Sequence, residues 1–190
     1  GIDNETINTP LERVKLVNNW KGGNHRPTKR VMIPKPNGKK RPLGIPTVRD
    51  RIEQNIIANS LEPEWEAVFE PNSYGFRPGR SCQDAIVQNF NRLNSSPKTG
   101  GHKWILEADI KGFFNNIDPE LLMEMLGKRI DDKAFLNLIR KWLKAGILDK
   151  GQVICPITGT PQGGVVSPIL ANIYLHTVLD VWFYETVQTH

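Results

Sequence analysis

The sequence predicts an α+β fold, and three observations carry that prediction. Strand and helix periods are interspersed without the regular alternation that builds a parallel βαβ sheet. Pro36-Asn37-Gly38 lies between two short apolar alternations, which is a hairpin signal. Gly159 to Pro168, GTPQGGVVSP, is a glycine-rich loop that leads into an apolar helix.

Arg30 to Pro46 reads as the hairpin, with Val31 and Ile33 in one strand and Leu43 and Ile45 in the other. Asn37 and Gly38 both accept positive φ at its turn. Thr47 then caps a helix from Val48 to Leu61, with Ile52, Ile56, Ile57 and Leu61 on one face. Pro63 is expected to end it, because proline lacks the donor that the next turn needs. Glu70 to Arg80, EPNSYGFRPGR, is a loop, and Ser81 with Asp84 makes a capping box for a helix carrying Ala85, Ile86, Phe90 and Leu93. Trp104 to Asp109 is a short apolar run that reads as a β-strand ending on a carboxylate. The chain breaks at Lys111-Gly112, and Asp118 with Pro119 restarts it as a helix to about residue 128. A second helix runs from about 133 to 145, with Phe135, Leu138, Ile139, Trp142 and Leu143 at helical spacing and Gly146 as its stop. Ile147 to Ile157 is an extended or hairpin segment turning near Lys150-Gly151, and Ser167 caps a long helix reaching at least Trp182.

Composition narrows the class. With 190 residues and 38% apolar content the chain can bury the core of one domain or two small lobes. No apolar stretch approaches the ~20 residues that span a bilayer, and GIDNETINTP has neither the basic nor the apolar region of a secretory signal, so no membrane partner is expected. Cys82 and Cys155 make no metal-spaced pair and the four histidines are scattered, which argues against zinc and against a disulfide framework. The net charge of +5 conceals an asymmetry: Leu11 to Arg51 holds twelve basic residues against two acidic ones. Such a segment suits a polyanion, since Lys and Arg release counterions condensed on phosphates. Lys29, Arg30, Lys39 and Lys40 are its candidate nucleic-acid contacts, and a merely solvated basic face is the other reading of the charge.

Three segments offer chemistry suited to a nucleoside triphosphate. Lys35 and Arg41 flank the hairpin turn, where an Arg fork grips two phosphate oxygens and a Lys acts as a mobile point charge. Asp109 and the backbone carbonyl of Ile110 offer hard oxygen ligands for a divalent ion, although one carboxylate cannot hold the paired ions of two-metal phosphoryl transfer. Pro161-Gln162-Gly163-Gly164 lets the backbone approach a base or sugar, and the Gln162 amide both donates and accepts.

In order, RVMIPKPNGKKRPLGIPTVRDR, NSYGFRPGRS, the Asp109 segment and GTPQGGVVSPILANIYL closely resemble the reverse transcriptases encoded by group II introns, which also act as maturases. The resemblance covers roughly Arg30 to Asp180; retron and diversity-generating reverse transcriptases share the Asp and QGG elements. It implies a right-hand polymerase architecture, with fingers over 1–80 including the hairpin 30–46, and a partial palm with a helical insert over 81–190. It implies that Lys35 and Arg41 bind the triphosphate, that Asp109 with the Ile110 carbonyl holds Mg²⁺ in a two-ion site, and that Phe114 is the steric gate against a ribose 2′-hydroxyl, with Phe113 its core partner. Gln162 and Gly163 would line the nucleotide pocket. Arg77 and Arg80 would touch the template backbone, or GFRPGR would be a structural turn. The implied partners are an RNA template, intron RNA, a DNA primer and deoxynucleoside triphosphates, in a bacterial cytoplasm or an organelle. The family's Tyr-Ala-Asp-Asp hairpin, which supplies further metal ligands, is not in this sequence, so residues 1–190 are expected to be inactive alone. The rival functions are a non-catalytic RNA-binding maturase module and a retron-type enzyme.

Overall fold

Helix caps written into the sequence set most element boundaries. The computed structural model describes residues 1–23, 25–94, 105–155, 159 and 163–188. Helix α1, Pro10–Asn18, starts from a Thr9–Glu12 capping box that the sequence reading did not single out. Strands β1, Thr28–Pro34, and β2, Lys40–Ile45, form the expected hairpin, with Ile33 opposite Arg41 and Val31 opposite Leu43. Its turn differs from expectation: only Gly38 has positive φ, 76°, and Lys35 N–H donates to Lys39 O at 2.7 Å. A loop of Pro36, Asn37 and Gly38 is a turn closed by one left-handed glycine, so Asn37 stays at negative φ.

Helix α2, Val48–Glu66, is capped by Thr47, whose hydroxyl oxygen accepts the Asp50 N–H. It runs past Pro63, correcting the expected stop. The ring removes only the N–H that Asn59 O would accept, and Leu61 and Trp65, buried on either side, hold the last turn on the core. The buried stripe runs through Asp50, Gln54, Ile57, Ala58, Leu61 and Trp65, and Ile56 faces solvent. Helix α3, Cys82–Leu93, has its Ser81–Asp84 capping box, yet Ile86, Phe90 and Leu93 are exposed.

Residues 105–110 contain no strand, which corrects the expectation for the Asp109 segment within the described residues. A strand exists only as part of a ladder, and no described segment pairs with this one; Leu106 is 92% exposed. Gly112, at φ 65°, turns the chain into the short helix α4, Phe113–Asn116. Helices α5, Pro119–Gly127, and α6, Lys133–Lys144, start from Asp118 and Asp132 caps and bury Leu122, Leu126, Ile139, Trp142 and Leu143. Strands β3, Ile147–Asp149, and β4, Gln152–Ile154, turn through Lys150 and Gly151, both at positive φ, as a tight two-residue hairpin requires. Helix α7, Ser167–Leu175, starts one residue earlier than expected, with Val166 at the cap position and Pro168 in the first turn, and continues as π-helix over 176–181 and 183–188.

The four strands form one mixed sheet in the order β2-β1-β3-β4, with β1 and β3 parallel through Thr28–Ile147 and Lys29–Leu148. The core lies among helices: Ile57, Leu61, Trp65 and Phe69 meet Leu122, Leu126, Ile139, Trp142, Leu143, Leu170 and Ile173. Sheet and core therefore both join residues from before and after position 80. His25 ties the N-terminal segment to this core, its Nδ1 lying 2.6 Å from Trp142 Nε1 and 3.1 Å from Asp50 Oδ1. Separated in sequence, His25, Asp50 and Glu53 are gathered by folding into one largely buried cluster at the start of α2.

Candidate functional site

Strand alternation decides what the hairpin presents. Arg41 and Leu43 lie on one face of β2, opposite Ile33 and Val31, and the extra Lys35–Lys39 pairing carries Lys35 onto the same face. Against this face comes Gly163, so closely that a Cβ there would sit 2.3 Å from Gly44 O and 2.9 Å from Leu43 Cδ1. The glycine, at φ 106°, is thus required by the hairpin's own backbone.

The approach leaves a cleft of about 190 Å³ bounded by Arg41 and Leu43 of the hairpin, Phe76 of the 70–80 loop, Phe114 of α4, and Gly163, Gly164, Ser167 and Pro168 at the start of α7. Three of the residues singled out from sequence, Arg41, Phe114 and Gly163, meet in it. Leu43, Phe76, Ser167 and Pro168 were not singled out; only folding puts them beside the others. Gln162 lies outside the described residues. Lys35 and Asp109 are exposed and do not line the cleft.

The two phenylalanines of α4 part ways. Phe114 faces the cleft with its ring edge-on to Phe76, centroids 6.3 Å apart, whereas Phe113 packs towards Tyr174 of α7, also at 6.3 Å. Gly159 fixes α4 from behind: its N–H donates to Ile117 O at 2.7 Å, and a Cβ there would meet Asn115 Cα and Phe114 O at 2.8 Å.

Of the two readings of Arg77, template contact or structural turn, its contacts favour the second: it is anchored inside the fold. Its side chain is 1% exposed; Nε and Nη2 donate to the Glu66 carboxylate at 2.8 Å, and Nη1 donates to Glu70 O at 2.6 Å and Ser73 O at 2.9 Å. Four of its five N–H groups are thereby engaged. Arg80 is half-buried over the Tyr74 ring and donates to Pro71 O, so GFRPGR is a structural turn in this fold. Hydrogen bonding from Arg77 holds the Glu66 carboxyl below the ordinary range, and that stabilisation is present above the ordinary Glu value and fades as pH falls through the depressed one. Arg77→Ala strands a half-buried carboxylate and two carbonyls. It is expected to cost about 3 kcal/mol in urea unfolding while leaving RNA affinity within about twofold.

Of the other basic candidates, Lys29, Lys39 and Lys40 are exposed. Arg30 pairs with Asp149 at 3.0 Å, bracing β1 against β3. For a divalent ion, the Asp109 carboxylate and the Ile110 carbonyl have the hard-oxygen chemistry that Mg²⁺ prefers. Among the described residues, however, Asp109 belongs to no group of three or more ligating side chains. No helix among the described residues is long and apolar enough to cross a membrane.

Comparison with known proteins places the chain in one class. The model of a family described as reverse transcriptase (RNA-dependent DNA polymerase) matches residues 33–186. The chain is 45% identical to Protein YkfC of Escherichia coli (strain K12) over 159 residues, 84% of this chain and 41% of that one. It is also 45% identical to the group II intron-encoded protein LtrA of Lactococcus lactis subsp. cremoris over 165 residues, 85% of this chain and 26% of LtrA. It therefore spans less than half the length of either relative. Among solved structures, a chain of a partial Cas6-RT-Cas1–Cas2 complex superposes with a TM-score of 0.52 at 26% identity, over 98% of this chain and 32% of that one.

Proposed function

This chain belongs to the reverse transcriptase family, and from that premise we propose that it forms the fingers (1–80) and partial palm (81–190) of a group II intron-encoded RNA-directed DNA polymerase. The observation that carries the reading is the convergence of Arg41, Phe114 and Gly163, from three distant segments, on one cleft. A deoxynucleoside triphosphate fits its chemistry. The Arg41 fork grips phosphate oxygens at the hairpin end, with Lys35 on the same face as a second cation. Phe114 stands where a sugar would lie and rejects a 2′-hydroxyl by its bulk. Gly164 leaves room for the base, and Gln162, two residues upstream, is the amide available to it. Asp109 and the Ile110 carbonyl would hold magnesium, which when bound supplies positive charge against the developing negative charge of phosphoryl transfer.

Activity is tested in a chimera in which this chain replaces the matching residues of full-length LtrA. Arg41→Ala should raise the KM for deoxynucleotides about tenfold with template affinity little changed, because the lost fork touches only the nucleotide. Phe114→Ala should raise ribonucleotide use relative to deoxynucleotide use in kcat/KM. Equal effects of Arg41→Ala on template and nucleotide binding would refute the assignment of the cleft.

The exposed basic face is the proposed RNA contact, for template and for intron RNA alike. Neutralising Lys29, Lys39 and Lys40 together should weaken RNA binding and flatten its log–log salt dependence by roughly two to three units. An unchanged slope would return these lysines to solvent.

A further inference from the structure

Phe76 is the least explained residue of the cleft. It is a bulky side chain at φ 56°, in left-handed backbone that costs such a residue energy, and the residue is 67% exposed. Neither feature serves the core. Yet the conformation is fixed from both sides: Asn172 Nδ2 of α7 donates to Gly75 O at 2.9 Å, and the buried Arg77 is locked to Glu66, Glu70 and Ser73. Two anchors of this kind, flanking one strained and exposed aromatic, hold it out into the cleft. There its ring meets Phe114 edge-on at an interplanar angle of 84°, a favoured aromatic geometry.

We infer that Phe76 is a positioning residue for Phe114, holding the gate ring at the tilt that discriminates a deoxyribose from a ribose. This rests on the proposed nucleotide reading of the cleft. The Phe114 ring, half-buried on a four-residue helix, packs against Phe113 and the core, and the Phe76 ring meets it at the cleft. The 70–80 loop is then a device for sugar selection, and the strain at Phe76 is the consequence of presenting an aromatic where the core gains nothing from it.

The test is calorimetric titration of the LtrA chimera, saturated with a primed RNA template ending in a dideoxynucleotide, with dATP and with ATP in magnesium. Phe76→Gly removes the ring and relieves the left-handed backbone. It should weaken dATP binding about five- to tenfold and narrow the dATP-to-ATP preference, while the melting temperature holds or rises. Phe76→Tyr, which keeps the ring, should restore the preference. The double variant with Phe114→Ala should discriminate no worse than Phe114→Ala alone, because the two rings act as one unit. An unchanged preference in Phe76→Gly, or a lost preference with a lowered melting temperature that Phe76→Tyr does not repair, would overturn the inference with the nucleotide reading intact. Absence of dATP binding by the chimera without these substitutions, or undiminished binding by Arg41→Ala in it, would overturn both.

Discussion

In the LtrA chimera, Asp109→Ala should lower DNA synthesis on a primed RNA template by on the order of 10³-fold or more while RNA affinity stays within about twofold. The first half follows from charge: a carboxylate that holds the ion facing a triphosphate has no neutral substitute. The second half follows from the fold. Asp109 is exposed on a segment without ladder partners, so its removal breaks no cap, ion pair or packing contact found among the described residues. Asp109→Asn sharpens the test, because it keeps size and polarity and removes only the charge. Parallel loss of synthesis and RNA binding in both variants would make Asp109 a structural residue and withdraw it from the metal site.

Local chemistry made most of the helices legible. Thr47, Ser81 and Asp118 each place an oxygen where the first-turn N–H groups need one, and those helices begin where the caps stand. Gly38 and the Lys150-Gly151 pair marked both hairpins for the same reason. What could not be read was pairing at a distance. The parallel contact of Thr28 with Ile147 joins segments separated by most of the chain, and neither carries a signal naming the other. The Asp109 run fails in the opposite sense. Its apolar residues promise a buried strand, but burial and laddering are properties of neighbours, and among the described residues none lies alongside. Pro63 shows a local rule outweighed by packing, since Leu61 and Trp65 hold the turn that the proline weakens.

The same distinction applies to the cleft. Arg41, Phe114 and Gly163 were identified through ordered motifs, whereas Phe76 and Leu43 belong to the site only because of where loop and strand are carried. The sequence leaves Arg77 open between template contact and structural turn, because a charge in a glycine- and proline-rich loop looks the same whether it faces phosphate or a half-buried glutamate. Four hydrogen bonds settle which it is.

Gly163→Ala is expected to damage the protein more than any other glycine-to-alanine change at the cleft, and Gly38→Ala measures how much of that is backbone conformation. Both glycines have positive φ, 106° and 76°, so both substitutions carry a left-handed penalty of about 1 to 2 kcal/mol. At Gly38 a new Cβ meets nothing within 4 Å; at Gly163 it would be 2.3 Å from Gly44 O. That carbonyl cannot readily yield, because Gly44 is held opposite Arg30 in the β1–β2 ladder. The loop must move instead, carrying Gly164, Ser167 and Pro168 away from Arg41 and Leu43. Gly163→Ala should therefore cost about 1 to 3 kcal/mol beyond Gly38→Ala in denaturant unfolding, and in the chimera it should raise the deoxynucleotide KM at least about tenfold, since a shift of about 1 Å in groups that position a substrate has effects of that order or larger. Gly38→Ala should leave the KM unchanged. Equal stability losses for the two variants would mean that the hairpin and the glycine-rich loop are not in contact in solution, and the cleft between them would lose its walls.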